Sequence, residues 1–207
     1  MRRAEALQTL VEHVRSTIVT ALGSIPASDR ADLYAVSLWV QDVDDDPRRP
    51  TITVGYNTER QVAASTPRGD RSGNGSVASS AAEARWNFAF WLQNSLAVIC
   101  SEDGDPAGVE ARDAWAKQSG YWYSDAEEER DLDAALMKVA PLTAGVVEIA
   151  VGVVRELHRS GEVARLLGHP VPLLIHELEY YEQIAAQNEA ANPPALVRDF
   201  SRWVRGL

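Results

Sequence analysis

The 207 residues carry 30 acidic against 20 basic side chains, a formal net charge of −10, with 45% hydrophobic and 24% charged residues. This balance excludes wholesale disorder and argues against a nucleic-acid backbone as ligand, because Lys and Arg must there replace condensed counterions; a basic protein suits the charge better. The single cysteine, Cys100, excludes an internal disulfide and a cysteine-based structural zinc site, as expected in a reducing cytoplasm.

The length fits a single α+β domain over residues 1–207. Glu5, Gln8, Glu12 and His13 interrupt the N-terminal segment, so it lacks the apolar core of a signal peptide. The longest nearly apolar run, Leu142 to Val154, contains Glu148 and falls short of the roughly 20 residues that cross a bilayer. A cytoplasmic protein with no membrane partner is expected. Only Lys117 and Lys138 of the basic residues are lysines, the arginine bias of a GC-rich bacterial gene.

Apolar residues recur at Leu7, Leu10, Val11, Val14, Ile18 and Leu22, which predicts an amphipathic helix ended by Gly23 and Pro26. Asp32 to Gln41 alternates as a strand, and Thr51 to Tyr56 returns as its hairpin partner across an acidic turn. The aspartates of that turn lack the central Gly and closing Glu of an EF-hand loop, so a solvated turn is expected rather than a calcium site. Thr58 and Gln61 have capping-box spacing for a short helix, and the Gly- and Ser-rich stretch at about 66–80 reads as a flexible loop.

Glu83 to Cys100 concentrates aromatic residues. Trp86, Phe88, Phe90 and Leu92 alternate as in a strand, while Trp86, Ala89, Phe90, Leu96 and Cys100 share one helical face. Asn87 as an N-cap favours a helix from Phe88 to about Ile99 after a short extended entry. Further helices are predicted from Pro106 to Gln118, from Ala126 to Val139 behind the Ser124–Glu127 capping box, and from Leu142 to His158. The last of these has an apolar stripe broad enough for a core helix. Val171 to Tyr180 reads as a third strand, followed by two C-terminal helices. Together these elements predict an α+β fold, a small and mainly antiparallel sheet of about three or four strands packed against several helices.

Chemistry is sparse. His176 opens H-E-L-E-Y, but Tyr180 stands where the second histidine of a zinc helix is required, so no metal or other cofactor is expected. Cys100 is expected to be a buried thiol rather than a nucleophile. The remaining possibility for a small-molecule or hydrolytic site is a strand end where His176 stands beside Glu177 and Glu179 and titrates near neutrality.

The order of a long N-terminal helix, the Y-A-V-S-L strand from Tyr34 to Leu38, the N-T-E of Asn57 to Glu59 and the R-W-x-x-x-x-W of Arg85 to Trp91 resembles a bacterial family known as a domain of unknown function. Asn87 and Phe88 replace the Ser-Pro that follows the first Trp in that pattern. Such families are similar in layout to immunity proteins, which neutralise a toxin by binding it. The resemblance implies a protein-binding domain with no catalytic residues and a basic protein as partner. Acidic charge and surplus aromatic side chains, rather than the resemblance, give the expected contacts: Asp44, Asp45 and Asp46, Glu128 and Glu129, and the tryptophans Trp91 and Trp122, the last two read as exposed.

Overall fold

A computed structural model of the chain describes residues 2–66 and 78–207. The predicted N-terminal helix is α1 (Arg3–Ser24), which buries Ala6, Leu10, Val14, Ile18 and Leu22. A single turn, α2 (Ala27–Arg30), leads to the hairpin of β1 (Leu33–Asp42) and β2 (Pro50–Thr58). Thr58 then caps α3 (Glu59–Ser65), its hydroxyl accepting from the Gln61 amide. The loop expected at 66–80 falls outside the described residues except for Thr66 and 78–80.

The aromatic stretch departs from expectation. Ser80 caps a helix, α4 (Ala81–Trp86), where an extended entry was predicted, and Asn87 caps only a 3-10 turn, Phe88–Phe90, rather than a long helix. Gln93 sits at φ 51 and the chain then forms β3 (Ala97–Ile99) on the open edge of β2. Tertiary pairing overrides the helical pattern here: Ile99 pairs with Ile52, and the Asn94 side chain bridges the Tyr56 amide and carbonyl at 2.8 and 3.1 Å. A residue with a Cβ at Gly55 would meet the Asn94 carbonyl at 2.7 Å, so glycine is what lets this segment approach.

Asp105 caps α5 (Pro106–Ser119), which ends at Gly120 in the left-handed region. The predicted helix over 126–139 is two helices, α6 (Asp125–Arg130) and α7 (Leu132–Val139), because the Asp131 carboxylate turns back to accept from the Ala134 amide and starts a new helix. Next come α8 (Pro141–Arg159) and α9 (Glu162–Leu167). The third predicted strand is shorter than read: β4 (Leu173–His176) is followed by α10 (Glu182–Ala191) and α11 (Pro194–Val204).

The sheet has the order β3-β2-β1-β4, with β4 parallel to β1 and the other pairs antiparallel. The fold is therefore α+β, as its element order predicts. One sheet face, with Val36, Leu38, Val40, Ile52, Val54 and Ile175, packs on α1, α5 and α8 in the main core. The opposite face packs Ala35 and Leu174 with Tyr34, Trp86, Trp91, Ile184 and Phe200 in a second core. Leu33 and Tyr34 reach opposite cores by strand alternation, and the register shift between Leu33 and Ala35 explains how adjacent Tyr34 and Ala35 share the second core while Leu33 and Val36 share the first.

The free edge of β4 is closed by side chains. Asn192 accepts from the Leu173 amide at 2.9 Å and donates to its carbonyl at 3.0 Å; Asn188 does the same for Ile175 at 2.9 and 2.7 Å. Four helical residues advance about 6 Å and two strand residues about 6.6 Å, so two asparagines one turn apart match alternate residues of a strand. The pair thus stands in for a fifth strand and removes an exposed edge.

By length and composition, the helical stretch Leu132–Arg159 suffices to cross a membrane. Within the fold, however, Leu142, Val146, Ile149, Val153, Val154 and Leu157 of α8 are buried in the main core.

Candidate functional site

The structure separates the residues of the His176 reading. His176 is 1% exposed and points into the second core, with Phe88, Trp91 and Tyr180 rings at 4.8, 5.9 and 5.9 Å. Its Nδ1 lies 3.0 Å from the Glu177 carbonyl, which only accepts, so Nδ1 holds the proton and Nε2 accepts from the Ser37 hydroxyl at 2.7 Å. Burial pushes its pKa down to about 4. The expectation of a histidine titrating near neutrality at a cleft mouth is therefore corrected: alternation at the strand end turns His176 inward and Glu177 outward. Glu177 accepts from the Tyr181 hydroxyl at 3.1 Å, and Glu179 is exposed.

Trp91 is likewise corrected from exposed contact to buried core residue, at 4% exposure, its indole N–H donating to the Arg85 carbonyl at 2.9 Å. Trp122 is half-buried, with the Lys117 ammonium 4.5 Å from its ring centre. Cys100 is buried, and burial pushes its thiol up to about 12, which leaves it protonated.

Two acidic segments far apart in sequence are brought together. Arg48 lies between them, bonding Asp46 at 2.9 Å and Asp125 at 2.6 Å, 3.9 Å from Glu128, with its guanidinium over the Tyr123 ring. Arg49 joins Asp44 at 3.1 Å to Glu102 at 2.9 Å. Burial raises the Asp46 carboxyl, but the hydrogen bonds from Arg48 outweigh it and hold its pKa below the usual range. Asp44 and Asp45, at φ 56 and 57, project outward from this turn. Among the described residues Asp45 and Glu129 have no ion-pair partner, and no group of three His, Cys, Asp or Glu side chains is placed to hold a metal. At the foot of this lobe the Thr143 hydroxyl donates to Asp42 at 2.8 Å, which ties it to the start of α8.

The outward side of α8 is the feature that the sequence reading missed. A groove of about 460 Å³ between α1 and α8 is lined by Leu7, Val11, Trp115, Tyr121 and Gly145. A second, of about 600 Å³, lies between α8 and α10 and is lined by Thr143, Val147, Val151, Arg155, Glu177, Tyr181 and Gln187. Ala144 and Glu148 line both, so the grooves flank one ridge. The signal was present in the breadth of the α8 stripe: Val147 and Val151, assigned to a core helix, are only half-buried. Leu132, Leu136 and Met137 on α7 are also exposed.

Comparison with protein-family models, with curated proteins and with solved structures finds no match to this chain.

Proposed function

We propose that this chain is a protein-binding domain. The observation that carries the reading is the outward side of α8, where two grooves of about 460 and 600 Å³, lined largely by apolar side chains, flank a ridge that the described core leaves uncovered. Contiguous apolar surface rimmed by polar groups is characteristic of protein contact sites. The acidic lobe beside it, with Asp44, Asp45 and Glu129 exposed, suits a basic partner and would speed its encounter. In its finer form, suggested by the family resemblance, the protein is an immunity protein and the basic partner is a toxin.

A second reading is supported by the α8–α10 groove alone. Its volume lies in the range of small-molecule sites, and Thr143, Arg155, Glu177 and Tyr181 converge on it. In that reading Glu177 survives from the expected His176 site, while His176 is a buried residue behind it.

Capture from a lysate of the source cells separates the two. The wild-type chain should retain a protein that salt releases, and the D44K/D45K/E129K and E148R variants should each lose it. Retention of the same proteins by every variant would refute the protein-binding reading. If nothing protein is retained but metabolites raise the melting temperature, and E177Q abolishes that rise, the groove reading replaces it.

A further inference from the structure

We infer that the partner on the α8 ridge is a second copy of this chain, packed antiparallel across a two-fold axis between Val151 and Gly152. The inference rests on the protein-binding reading, assigning the ridge to a second copy and leaving the acidic lobe to the basic partner.

Gly152 provides the first argument. A glycine inside a helix costs stability relative to alanine, so its presence calls for a close neighbour. Gly145, two turns earlier on the same side of α8 and in the same α1–α8 groove, has such a neighbour: a Cβ there would meet the Trp115 ring at 2.6 Å. At Gly152 a Cβ would meet nothing within 4 Å. The residue lines the α1–α8 groove beside the ridge, its Cβ position open among the described residues, and an approaching helix would supply the neighbour.

The charges provide the second. Glu148 and Arg155 are exposed on the same side of α8, and neither has an ion-pair partner among the described residues. Ala144, Glu148, Val151 and Arg155 follow the i, i+4, i+7, i+11 spacing of a helix-packing seam. Glu148 and Arg155 lie at equal distances, about 5 Å along the helix, on either side of the Val151–Gly152 midpoint. A two-fold axis at that midpoint sets Glu148 of each copy against Arg155 of the other and crosses the helices beside Gly152. The surface is self-complementary, as an isologous interface requires.

The size is sufficient. The exposed ridge from Pro141 to Arg155 is about 22 Å long, and flanking helices at about 8–10 Å spacing widen it to roughly 30 Å. That gives about 700 Å² per copy, near the lower end for a specific dimer, so dissociation in about the micromolar range is expected. Leu7 and Tyr181, at 37% and 46% exposure, lie at the two flanks and would be covered.

Sedimentation velocity on the full chain over about 1 µM to 1 mM tests this. The expected result is a concentration-dependent dimer, weakened about tenfold or more by E148R and restored by E148R/R155E. G152L should abolish the dimer while far-UV circular dichroism stays unchanged, since a Cβ at this position meets nothing within 4 Å among the described residues. A monomer throughout the range, or a dimer indifferent to both E148R and G152L, would overturn the inference. If the chain is monomeric yet E148R still releases a captured protein, the dimer is refuted and the protein-binding reading stands. If the dimer behaves as described but no variant alters capture, the dimer stands and the reading of a basic partner at the acidic lobe falls.

Discussion

Replacing Asn188 by Ala tests the side-chain ladder that closes the sheet. The wild-type amide accepts from the Ile175 N–H at 2.9 Å and donates to the carbonyls of Ile175 and Ile184 at 2.7 and 2.8 Å, and both Asn188 and Ile175 are fully buried. The Ile175 carbonyl keeps a bond from Gln187 at 2.9 Å, but its N–H has no substitute. Two lost bonds at about 1 kcal/mol each and one orphaned N–H at about 1–3 kcal/mol give a loss of about 3–5 kcal/mol. That is a large share of the roughly 5–15 kcal/mol by which domains are stable. Urea unfolding followed by tryptophan fluorescence measures it, and amide exchange at Ile175 localises it. A loss under about 1 kcal/mol, or unchanged protection at Ile175, would refute the assignment. Asn188→Asp sharpens the test, because a carboxylate can accept from the amide but cannot donate to the carbonyls. Its folded-state pKa is raised by burial, so this variant should gain stability as pH falls, unlike the alanine variant.

His176 sets an acid sensitivity. Its pKa falls from 6.5 to about 4 on folding, so below pH 6.5 the unfolded chain takes up a proton that the folded chain refuses, and stability drops as pH falls toward 4. The linkage amounts to about 2 kcal/mol between pH 7 and pH 5, and His176→Gln should remove that part of the pH dependence; an unaltered slope, or an imidazole resonance titrating near 6.5, would contradict it. Burial lowers His158 in the same direction. Gly145→Val should cost about 1–3 kcal/mol through the Trp115 ring, read as a lower denaturation midpoint with an unchanged slope. Arg112 is 1% exposed and bonds Asp113 at 2.8 Å and the Cys100 carbonyl at 3.2 Å, so Arg112→Ala should cost about 2–4 kcal/mol in the same assay.

What the amino-acid order determined by itself is local. Leu10, Val14 and Ile18 place the first helix, Thr58, Asp105 and Ser124 cap helices as read, and the hairpin alternation puts Val36, Leu38 and Val40 on one face. These features were legible because a cap or a stripe needs only neighbours a few residues away. The aromatic stretch was not, since the same residues satisfy both periods and the choice was made by partners distant in sequence: Ile52 and Tyr56 for the strand, Tyr34 and His176 for Trp91. The same holds for function. Whether His176 faces solvent or core depends on which way one strand end turns, and whether Asn188 and Asn192 are helix surface or sheet edge depends on α10 lying against β4. Whether the broad apolar stripe of α8 is all core depends on how far α1 and α10 cover it. They stop short, leaving the ridge between two grooves, and only the packing of the helices decided that.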